Sequence, residues 1–417
     1  MQHRALLNAA SALAISVGAA NAGITFTLLD VPDVFVTGMS GDAQWIVGSS
    51  FVDNSIYRYH VPTGTHSFLP DTAGLPYGLP DVSDDGQRVV GNYQVAGVSS
   101  PGVWTEVDAW TPIQALATTV VRDGGTGGAY GISGDGSTVA GLFSVSDATG
   151  DSPFSASPPG VTNALPTLGS AGRASCANAD GTVLAGFAND PAAGFRHGAA
   201  WVNGVMSNLS PDRWGDVEGM NPCGTVLVGN GDKTFNEGAM RWDWNGASWT
   251  STNLGVLAGT DPFFYNTSAL GVNAAGDMIV GVNRSGIGPF AEAEGFLWTP
   301  DDGMVGLEAL LADQGIDLMG FDIQVATAIS DDGTVISGWG INGQTFAHQG
   351  WMITIDAGPD CPADLAEPLR VLNFFDVVAY ITAFNNQDPI ADFAAPAGVF
   401  NFFDLVAYLD AFNAGCP

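Results

Sequence analysis

The sequence predicts an all-β protein, a seven-bladed β-propeller made of repeats of about 45–50 residues, followed by a small C-terminal α-helical module. Three observations lead to this prediction. One short phrase recurs seven times, most copies are followed by a strand pattern with one tryptophan, and residues 361–417 contain an internal duplication with helical periodicity. The 56 glycines and 23 prolines among 417 residues agree with many strands joined by tight turns.

The recurring phrase begins with a small or apolar residue and Ser or Asn, continues with Asp and Gly, and ends in a β-branched run and a glycine. Its closing glycines are Gly48, Gly91, Gly141, Gly186, Gly229, Gly281 and Gly338. They follow one another at intervals of 43, 50, 45, 43, 52 and 57 residues. Asp-Gly supplies the positive φ that a tight turn requires, and the Val and Ile runs favour extended chain. The phrase therefore predicts one hairpin per repeat.

A third strand follows the hairpin in five repeats, and each carries one tryptophan. These residues are Trp104, Trp201, Trp242, Trp298 and Trp351. Their recurrence at one repeat position predicts core packing between blades. Four strands per repeat match a propeller blade, and a lone blade cannot bury both of its faces, so the blades must form a ring. Residues 23–28 are expected to pair with the final strand near 351–355 and to close that ring.

Two features depart from the repeat. Segment 307–313 has helical spacing of its apolar residues and predicts a short helix before the last repeat. Four further tryptophans lie off the repeat position and allow two interpretations, loose packing or stacking platforms for sugars. These four are Trp110, Trp214, Trp244 and Trp249.

The N-terminus has the pattern of an export signal. Residues 1–4 are basic, residues 5–17 form a short apolar run, and Ala20-Asn21-Ala22 is a small-x-small cleavage site. The run is too short and too often interrupted for a membrane span of about 20 residues. We therefore expect a signal peptide over 1–22, no integral membrane span, and a mature protein in the periplasm, at the cell surface or outside the cell.

The charge balance limits the partners that the protein can have. Lys and Arg together number 11 against 43 acidic residues, for a formal net charge of −32. This field repels nucleic acid and anionic membranes, and no Lys/Arg cluster provides a local exception. The sequence therefore predicts no nucleic-acid partner.

Four cysteines are compatible with disulfides in an oxidising compartment. Cys361 and Cys416 bracket the last segment, and Cys176 and Cys223 lie in neighbouring repeats. Pairing within each couple, Cys361–Cys416 and Cys176–Cys223, is the most economical hypothesis, although four cysteines allow three connectivities. A cysteine metal site is disfavoured because no Cys-x-x-Cys spacing occurs.

The search for catalytic residues identifies none. The histidines His60, His66, His197 and His348 are isolated, and neither a Gly-x-Ser-x-Gly elbow nor a phosphate-binding loop ahead of a helix is present. The carboxylate pairs at 84–85 and 331–332 lie in the predicted hairpin turns, where turn chemistry explains them. Propeller enzymes can nevertheless gather carboxylates from different blades in a central channel, so a glycosidase or lyase stays as an alternative.

The phrase at 329–338 and Gly-Phe-Leu-Trp-Thr at 295–299 resemble the HAF repeats of bacterial extracellular proteins. The resemblance covers roughly residues 35–355. We therefore expect a HAF-repeat propeller over residues 23–355, and the change in composition after residue 355 predicts a short linker over 356–360. Residues 361–417 form the C-terminal module, in which 372–385 matches 400–413 at an offset of 28. Each copy is a loop followed by an amphipathic helix.

This duplicated unit, with its terminal cysteines, resembles dockerin modules. The resemblance implies binding to a cohesin-like or other envelope protein, and loops similar to EF-hand calcium loops. The candidate calcium ligands are Asp364, Asn373, Asp376, Asp392, Asn401 and Asp404. Asp364 and Asp392 come one place too early for the calcium pattern. The alternative is that Asp376 and Asp404 are N-terminal helix caps and need no metal.

Three functions remain open from the sequence. The first is an exported, non-catalytic binding or scaffold protein, displayed through the dockerin-like module, with a polysaccharide as one candidate ligand of the propeller. The second is a carbohydrate-active enzyme with the same anchor. The third is a purely structural surface protein.

Overall fold

The computed structural model describes residues 23–72, 78–146, 150–158, 160–231, 236–261, 263, 265–286, 292–355, 363–366, 372–394 and 398–415. The predicted signal peptide over 1–22 and the linker over 356–360 lie outside these residues. The chain divides into two compact units, Ile24–Thr354 and a second unit that contains Ile355–Pro417.

The first unit is a seven-bladed β-propeller, as the repeats predict, and each blade has four strands. Blades 1 to 3 contain β2 (Val34–Met39), β3 (Trp45–Ser50), β4 (Ile56–His60), β5 (Thr65–Phe68), β6 (Asp81–Val82), β7 (Val89–Val95), β8 (Val98–Thr105), β9 (Ala109–Pro112), β10 (Gly127–Ile132), β11 (Val139–Ser144), β12 (Asp151–Ala156) and β13 (Thr162–Ala164). Blades 4 and 5 contain β14 (Gly172–Ala177), β15 (Val183–Asp190), β16 (Phe195–Val202), β17 (Val205–Asn208), β18 (Gly215–Met220), β19 (Val226–Gly231), β20 (Asn236–Trp244) and β21 (Trp249–Gly255).

Blades 6 and 7 complete the ring. They contain β22 (Tyr265–Val272), β23 (Ile279–Ser285), β24 (Glu292–Thr299), β25 (Gly303–Gly306), β26 (Phe321–Ile329), β27 (Val335–Asn342), β28 (His348–Ile355) and β1 (Ile24–Pro32). The N-terminal strand β1 lies beside β28 as the outermost strand of blade 7. The expected closure of the ring by the start of the mature chain is therefore confirmed. A short parallel pairing of β20 with β22 also links blades 5 and 6.

The recurring phrase forms the hairpin between the first and second strand of each blade. In blade 3, Ser133 Oγ donates to Asp135 Oδ1 (2.6 Å), and the same oxygen accepts from the backbone N–H of Ser137 (2.9 Å). Gly136 follows with φ of 69°, a left-handed conformation that glycine adopts without steric cost. The phrase is thus a turn that its own Ser and Asp side chains stabilise.

The closing glycine of the phrase is explained by the strand next to it. In blade 3, Gly141 lies opposite Phe154 on the neighbouring strand β12. A Cβ at Gly141 would lie 2.6 Å from Phe154 Cζ and would also collide with the backbone oxygen of Gly128. The aromatic rings of Tyr57, Phe296 and Trp351 approach Gly48, Gly281 and Gly338 in the same way. Glycine is needed there because an aromatic ring fills the space of its side chain.

Four of the tryptophans of the third strands are buried in the core, as predicted, and Trp298 is partly buried against it, but the five do not all share one position. Trp104, Trp201, Trp242 and Trp298 each pair with the residue two places before the closing glycine of their blade. Trp351 pairs with the closing glycine itself, Gly338. The prediction of a single position is therefore wrong for Trp351, which occupies the place that phenylalanine or tyrosine takes in other blades.

A short helix, α1 (Leu307–Asp313), joins blades 6 and 7 at the predicted residues. It buries Leu307, Leu310 and Leu311, which recur at helical spacing. The helix therefore forms part of the packed propeller.

The second unit is helical, as predicted, with α2 (Phe374–Asn385) and α3 (Phe402–Ala414). The rings of Tyr380 and Tyr408, which occupy equivalent places in the duplication, stack with centroids 3.9 Å apart and planes 9° from parallel. Phe393 meets both rings edge-on. The two copies therefore pack against each other through equivalent aromatic residues, since neither helix would be stable alone.

The cysteines do not follow the predicted pairing where the structure describes them. Cys176 and Cys223 are both free thiols, so the predicted bond between them is not formed in this structure. Cys176 lies on β14, whereas Cys223 is exposed in the turn of blade 5. Cys361 and Cys416 lie outside the described residues, and their pairing stays a prediction.

Candidate functional site

A central cavity of about 190 Å³ is lined by residues from all seven blades. The innermost strand of six blades contains a β-bulge, and the extra residue of each bulge lines this cavity. These residues are Thr37, Tyr130, Ser175, Glu218, Leu270 and Thr327. A bulge changes the direction of one side chain, and in these six blades it turns that side chain into the central cavity. Sequence periodicity does not reveal the bulges, so these residues were missed.

The position after each bulge shows how closely the inner strands approach one another. It is glycine in four blades, at Gly38, Gly131, Gly219 and Gly271. A Cβ at Gly131 would lie 2.8 Å from Cys176 Cα of the next blade. Cys176 and Asp81 occupy the same repeat position in blades 4 and 2. Both place a functional group where most blades have none, and an alignment of the repeats on their Ser/Asn residue would have identified them.

Asp81 is held by the backbone of its own strand and of the next blade. Its Oδ1 accepts from Val82 N (2.9 Å), and its Oδ2 accepts from Ile132 N (3.0 Å). Burial, with a further contribution from Asp84, raises the pKa of Asp81 to about 6 despite these two N–H donors. Asp81 is therefore a rigidly placed carboxyl whose pKa is raised above its ordinary value.

Glu218 forms a second polar group in the wall, together with two arginines. Both of its carboxylate oxygens accept from Arg173 Nη2, at 3.2 and 3.1 Å. Arg173 also lies 3.5 Å from Asp216, whose other oxygen is 2.8 Å from Arg196. Burial and then the neighbouring Asp216 raise the pKa of Glu218 to about 7, and the two arginines oppose this shift. The network joins blades 4 and 5.

The two aspartates of each Asp-Asp-Gly turn have different roles. Asp85 accepts from Ser83 Oγ and Gln87 N within its turn, as predicted, and Asp332 does the same with Ser330 and Thr334. The preceding carboxylates, Asp84 and Asp331, line the central cavity instead. The prediction that turn chemistry explains both members of each pair is wrong for Asp84 and Asp331.

The four tryptophans off the repeat position contact other parts of the propeller. Trp110 stacks on Tyr93 with centroids 5.1 Å apart, and its Nε1 donates to Pro70 O (2.7 Å). Trp244 and Trp249 form a cross-strand pair 5.3 Å apart, with Trp244 37% exposed. Trp214 lies beside the guanidinium of Arg196. Packing therefore accounts for Trp110, and the Trp244–Trp249 pair is the most open of these surfaces.

In the C-terminal module, the predicted loop residues stabilise the helix starts. Asp376 Oδ1 accepts from Leu365 N (2.9 Å) and Ala366 N (2.8 Å), and its Oδ2 accepts from Asn373 N (2.8 Å). Asp404 Oδ1 accepts from Ala394 N (2.8 Å), and its Oδ2 accepts from Asn401 N (2.7 Å). Both aspartates are fully buried.

The helix caps themselves are Asn373 and Asn401, and each forms a capping box with the aspartate three residues later. The prediction that Asp376 and Asp404 are the N-terminal caps is therefore wrong in detail. The caps are the asparagines, and each aspartate is the third helical residue, whose side chain accepts from the backbone N–H of its cap. Asp392 Oδ2 accepts from Gly398 N (2.5 Å), and Asp364 lies in the equivalent loop. Among the described residues, no group of three or more His, Cys, Asp or Glu side chains is arranged to hold a metal ion.

Both helices of the module expose an apolar stripe. Phe374 and Phe402, at equivalent places in the duplication, are 74% and 70% exposed. On α2 the stripe continues through Val378 and Ile381 at helical spacing. We call this set the paired stripes, and its members are Phe374, Phe375, Val378, Ile381, Phe402, Phe403, Val406 and Leu409.

No helix in the described part of the chain is long and apolar enough to cross a membrane.

Comparison with known proteins identifies the fold but no relative. No protein family and no curated protein matches the chain. Among solved structures, the chain is similar to an oligogalacturonate lyase from Vibrio parahaemolyticus, with a TM-score of 0.51 and 9% identity over 80% of this chain and 98% of that chain. The β-propeller domain of Cps50 (Swd1) from Myceliophteria thermophila gives 0.49 and 10% identity over 78% of this chain and 99% of that chain.

TolB from Acinetobacter baumannii gives a TM-score of 0.39 and 17% identity over 53% of this chain. The match spans only about half of that protein, 54% of its length. At 9% identity, the similarity to the oligogalacturonate lyase shows the β-propeller fold alone.

Proposed function

We propose that the protein is an exported, non-catalytic binding or scaffold protein, which a partner protein holds at the cell envelope or in an extracellular complex. The N-terminal pattern over residues 1–22 supports export. The paired stripes of the C-terminal module support docking and are the observation that carries the proposal. The propeller provides the rigid body that is displayed.

The paired stripes are unusual for a surface that faces only water. Soluble proteins rarely leave large contiguous apolar patches exposed, and such patches mark binding sites. On α2 the spacing of Phe374, Val378 and Ile381 is i, i+4 and i+7, the pattern of a helix that inserts into an apolar groove. The same pattern recurs at Phe402, Val406 and Leu409 on α3. The dockerin resemblance implies a cohesin-like partner, and these anchors have the chemistry for one.

The proposal is tested with the full chain, immobilised and incubated with envelope extract of the source organism. The dominant captured protein is then purified and its dissociation constant measured. Combining Phe374→Ser with Phe402→Ser is expected to weaken binding by at least about 100-fold, because burying one phenylalanine contributes roughly 1.5–3 kcal/mol.

The matched control is Phe346→Ser, which removes a phenylalanine that is 79% exposed on the propeller. This control should bind as the wild type does. Equal affinity of the double variant and the wild type would refute docking through the paired stripes.

The same assay decides between calcium loops and capping boxes in the module. The dockerin resemblance implies calcium, whereas the backbone N–H groups bonded to Asp376 and Asp404 support the capping alternative. Capture that a chelator abolishes and added calcium restores would assign a metal role to these loops. Capture that is equal in calcium and in chelator would assign Asp376 and Asp404 to the helix starts.

A second candidate function is a carbohydrate-active enzyme that works in the central cavity. Asp81 and Glu218 favour it, because their raised pKa values of about 6 and 7 suit general acids near neutral pH. Release of reducing ends or of unsaturated products from polysaccharides, lost in Glu218→Gln, would establish this function. Saturable polysaccharide binding without turnover would instead support a binding propeller.

A further inference from the structure

The hairpin turns of the seven blades are joined to one another around one end of the cavity. Each link runs from one blade to the next, and the sequence of links returns to its start. The links are Asp84 N to Gly134 O (2.9 Å), Asp135 N to Ala179 O (2.9 Å), Ala179 N to Pro222 O (2.9 Å), Asn221 Nδ2 to Ala274 O (3.2 Å), Ala274 N to Asp331 O (2.9 Å), Asp331 N to Gly41 O (2.9 Å) and Gly41 N to Asp84 Oδ1 (3.3 Å). We call this set the turn ring.

The link from blade 1 to blade 2 differs from the other six. It is the longest of the seven, and its acceptor is the carboxylate of Asp84. Blade 1 also follows blade 7, the blade in which the N-terminal strand β1 pairs with the last strand β28. The turn ring therefore depends on a titratable group close to the blade that closes the propeller.

A second carboxylate lies at the same junction. A Cβ at Gly41 would lie 2.6 Å from Asp331 Oδ2 and 3.0 Å from Asp84 Oδ1. The two oxygens are therefore separated by no more than the sum of these distances. Gly41 has no side chain to keep them apart, so two carboxyls from blades 2 and 7 face each other across blade 1.

Several further carboxylates act on this pair. Asp42 and Asp332 raise the pKa of Asp331, Asp42, Asp85 and Asp135 raise the pKa of Asp84, and Asp84 in turn raises the pKa of Asp81. Two arginines of the adjoining hairpins are bound to turn carbonyls, Arg58 to Gly86 O and Arg88 to Gly136 O. Burial first, and then these carboxylates, raise the pKa of Asp331 to about 6 and also raise the pKa of Asp84.

We propose that Asp84 and Asp331 form a proton-operated latch, in which a proton on Asp331 leaves the Asp84 carboxylate free to hold the Gly41 N–H and keep the turn ring closed, and loss of that proton loosens the junction of blades 7, 1 and 2. A proton on one carboxyl removes the repulsion between the two. When both are ionised, they repel each other across Gly41 and weaken the longest link of the ring. Stabilisation by the latch is complete below the unfolded pKa of about 3.8 and is lost as pH rises through about 6.

The latch goes beyond the proposed docking function, because it makes access to the cavity depend on pH. Asp84 and Asp331 line the cavity together with Asp81 and Glu218. Loosening the turn ring at the junction of blades 7, 1 and 2 would widen one entrance of the cavity, through which those groups are reached. The docking module takes no part in this step, so the two proposals fail independently.

The test is hydrogen exchange of the full chain at pH 5 and pH 7.5, expressed as protection factors corrected for the intrinsic rate. We expect segments 38–44, 82–87 and 329–334 to lose about tenfold in protection at pH 7.5, as for a group that titrates one unit above pH 5. Segment 178–182 is the internal control, because its turn belongs to the same ring and lacks a facing carboxyl pair. The protection factors of this control segment should differ by less than about twofold between the two pH values.

Two variants complete the test. Asp331→Asn should keep high protection of the latch segments at both pH values, whereas Asp301→Asn, which removes an exposed charge elsewhere, should retain the pH response of the wild type. Equal protection of the wild type at both pH values, or an unchanged pH response in Asp331→Asn, would overturn the latch. If Asp331→Asn does not fold, the carboxyl carbon shift of Asp331 in the wild type decides. A midpoint near 6 supports the latch, and one at or below about 4 overturns it.

Discussion

At the scale of single residues, close approach decides which positions the repeat can vary. A closing glycine such as Gly141 is fixed because an aromatic ring occupies the space of its side chain. The position after the bulge tolerates change where the next blade leaves room, and there Asp81 and Cys176 enter the wall of the cavity. The repeat positions that maintain the fold are therefore different from those that carry functional groups into the cavity.

Gly141→Ala tests the close approach directly. The added Cβ would collide with the backbone oxygen of Gly128 and meet the Phe154 ring, so we expect the free energy of unfolding to fall by about 1–3 kcal/mol. Gly198→Ala is the matched control, since a Cβ there would find its nearest neighbour at 3.5 Å, an ordinary contact. Denaturant melts of both variants give the comparison. A control that loses as much stability as Gly141→Ala would contradict the explanation.

The roles of single residues could be predicted from the sequence only in part. The first and second carboxylates of Asp-Asp-Gly look equivalent in a turn pattern, yet only Asp85 and Asp332 serve the turn. Asp84 and Asp331 face the cavity because the ring brings turns from distant parts of the chain together. That juxtaposition is a tertiary property and has no local signal.

At the scale of elements, local sequence patterns predict which helices and hairpins form, but they do not predict the β-bulges and the register between strands. The hairpins, α1 and the paired helices follow from periodicity and turn chemistry, which act over a few residues. The β-bulges lie in inner strands made largely of small residues, such as β10 and β14, where hydrophobic alternation is too weak to show an extra residue. The register that turns Tyr130 and Glu218 into the cavity was therefore not predicted. The position of Trp351 was mistaken for the same reason, because register across strands is set by pairing.

Removing the carboxylate of Asp376 tests the capping boxes of the module. Asp376→Ala would leave three backbone N–H groups without their acceptor, and each such loss typically costs about 1–3 kcal/mol. We expect hydrogen exchange of α2 to accelerate strongly while the propeller strands keep their protection. Asp410→Ala, at an exposed position on α3, should leave the exchange of α2 unchanged. Unchanged exchange of α2 in Asp376→Ala would contradict the capping role.

At the scale of the whole molecule, the partly buried carboxyls in the wall of the cavity make stability depend on pH. Burial raises the pKa of Asp81 to about 6 and that of Glu218 to about 7. The folded state therefore holds these protons more tightly than the unfolded chain does. The resulting stability is complete below about pH 4 and is lost as pH rises through 6 to 7. Carboxyls with a lowered pKa, such as Asp135 and Asp180, stabilise the folded state above their unfolded pKa, and this stabilisation is lost only when the pH falls below that value.

We therefore expect the melting temperature of the full chain to be higher at pH 5 than at pH 8. Calorimetry of Asp81→Asn should show a smaller difference between the two pH values than the wild type shows. Asp301→Asn, which removes an exposed charge, should keep the full difference. A wild-type protein that melts at a higher temperature at pH 8 would show that the sign is wrong.

The ring itself was the best-predicted feature at this scale. Seven copies of one phrase define seven blades, and the start of the mature chain was expected to pair with the final strand near 351–355 and to close the ring. The contents of the cavity could not be predicted in this way, since they depend on which bulge residues meet at the axis.

The central claim is that the C-terminal module holds the protein at its place of display. Its most direct test is cell fractionation of the source organism that expresses either the wild type or the Phe374→Ser, Phe402→Ser double variant. We predict that the wild type stays with the envelope or extracellular complex, and that the double variant is released in folded form with an unchanged melting temperature. Retention of the folded double variant at the wild-type level would contradict the claim.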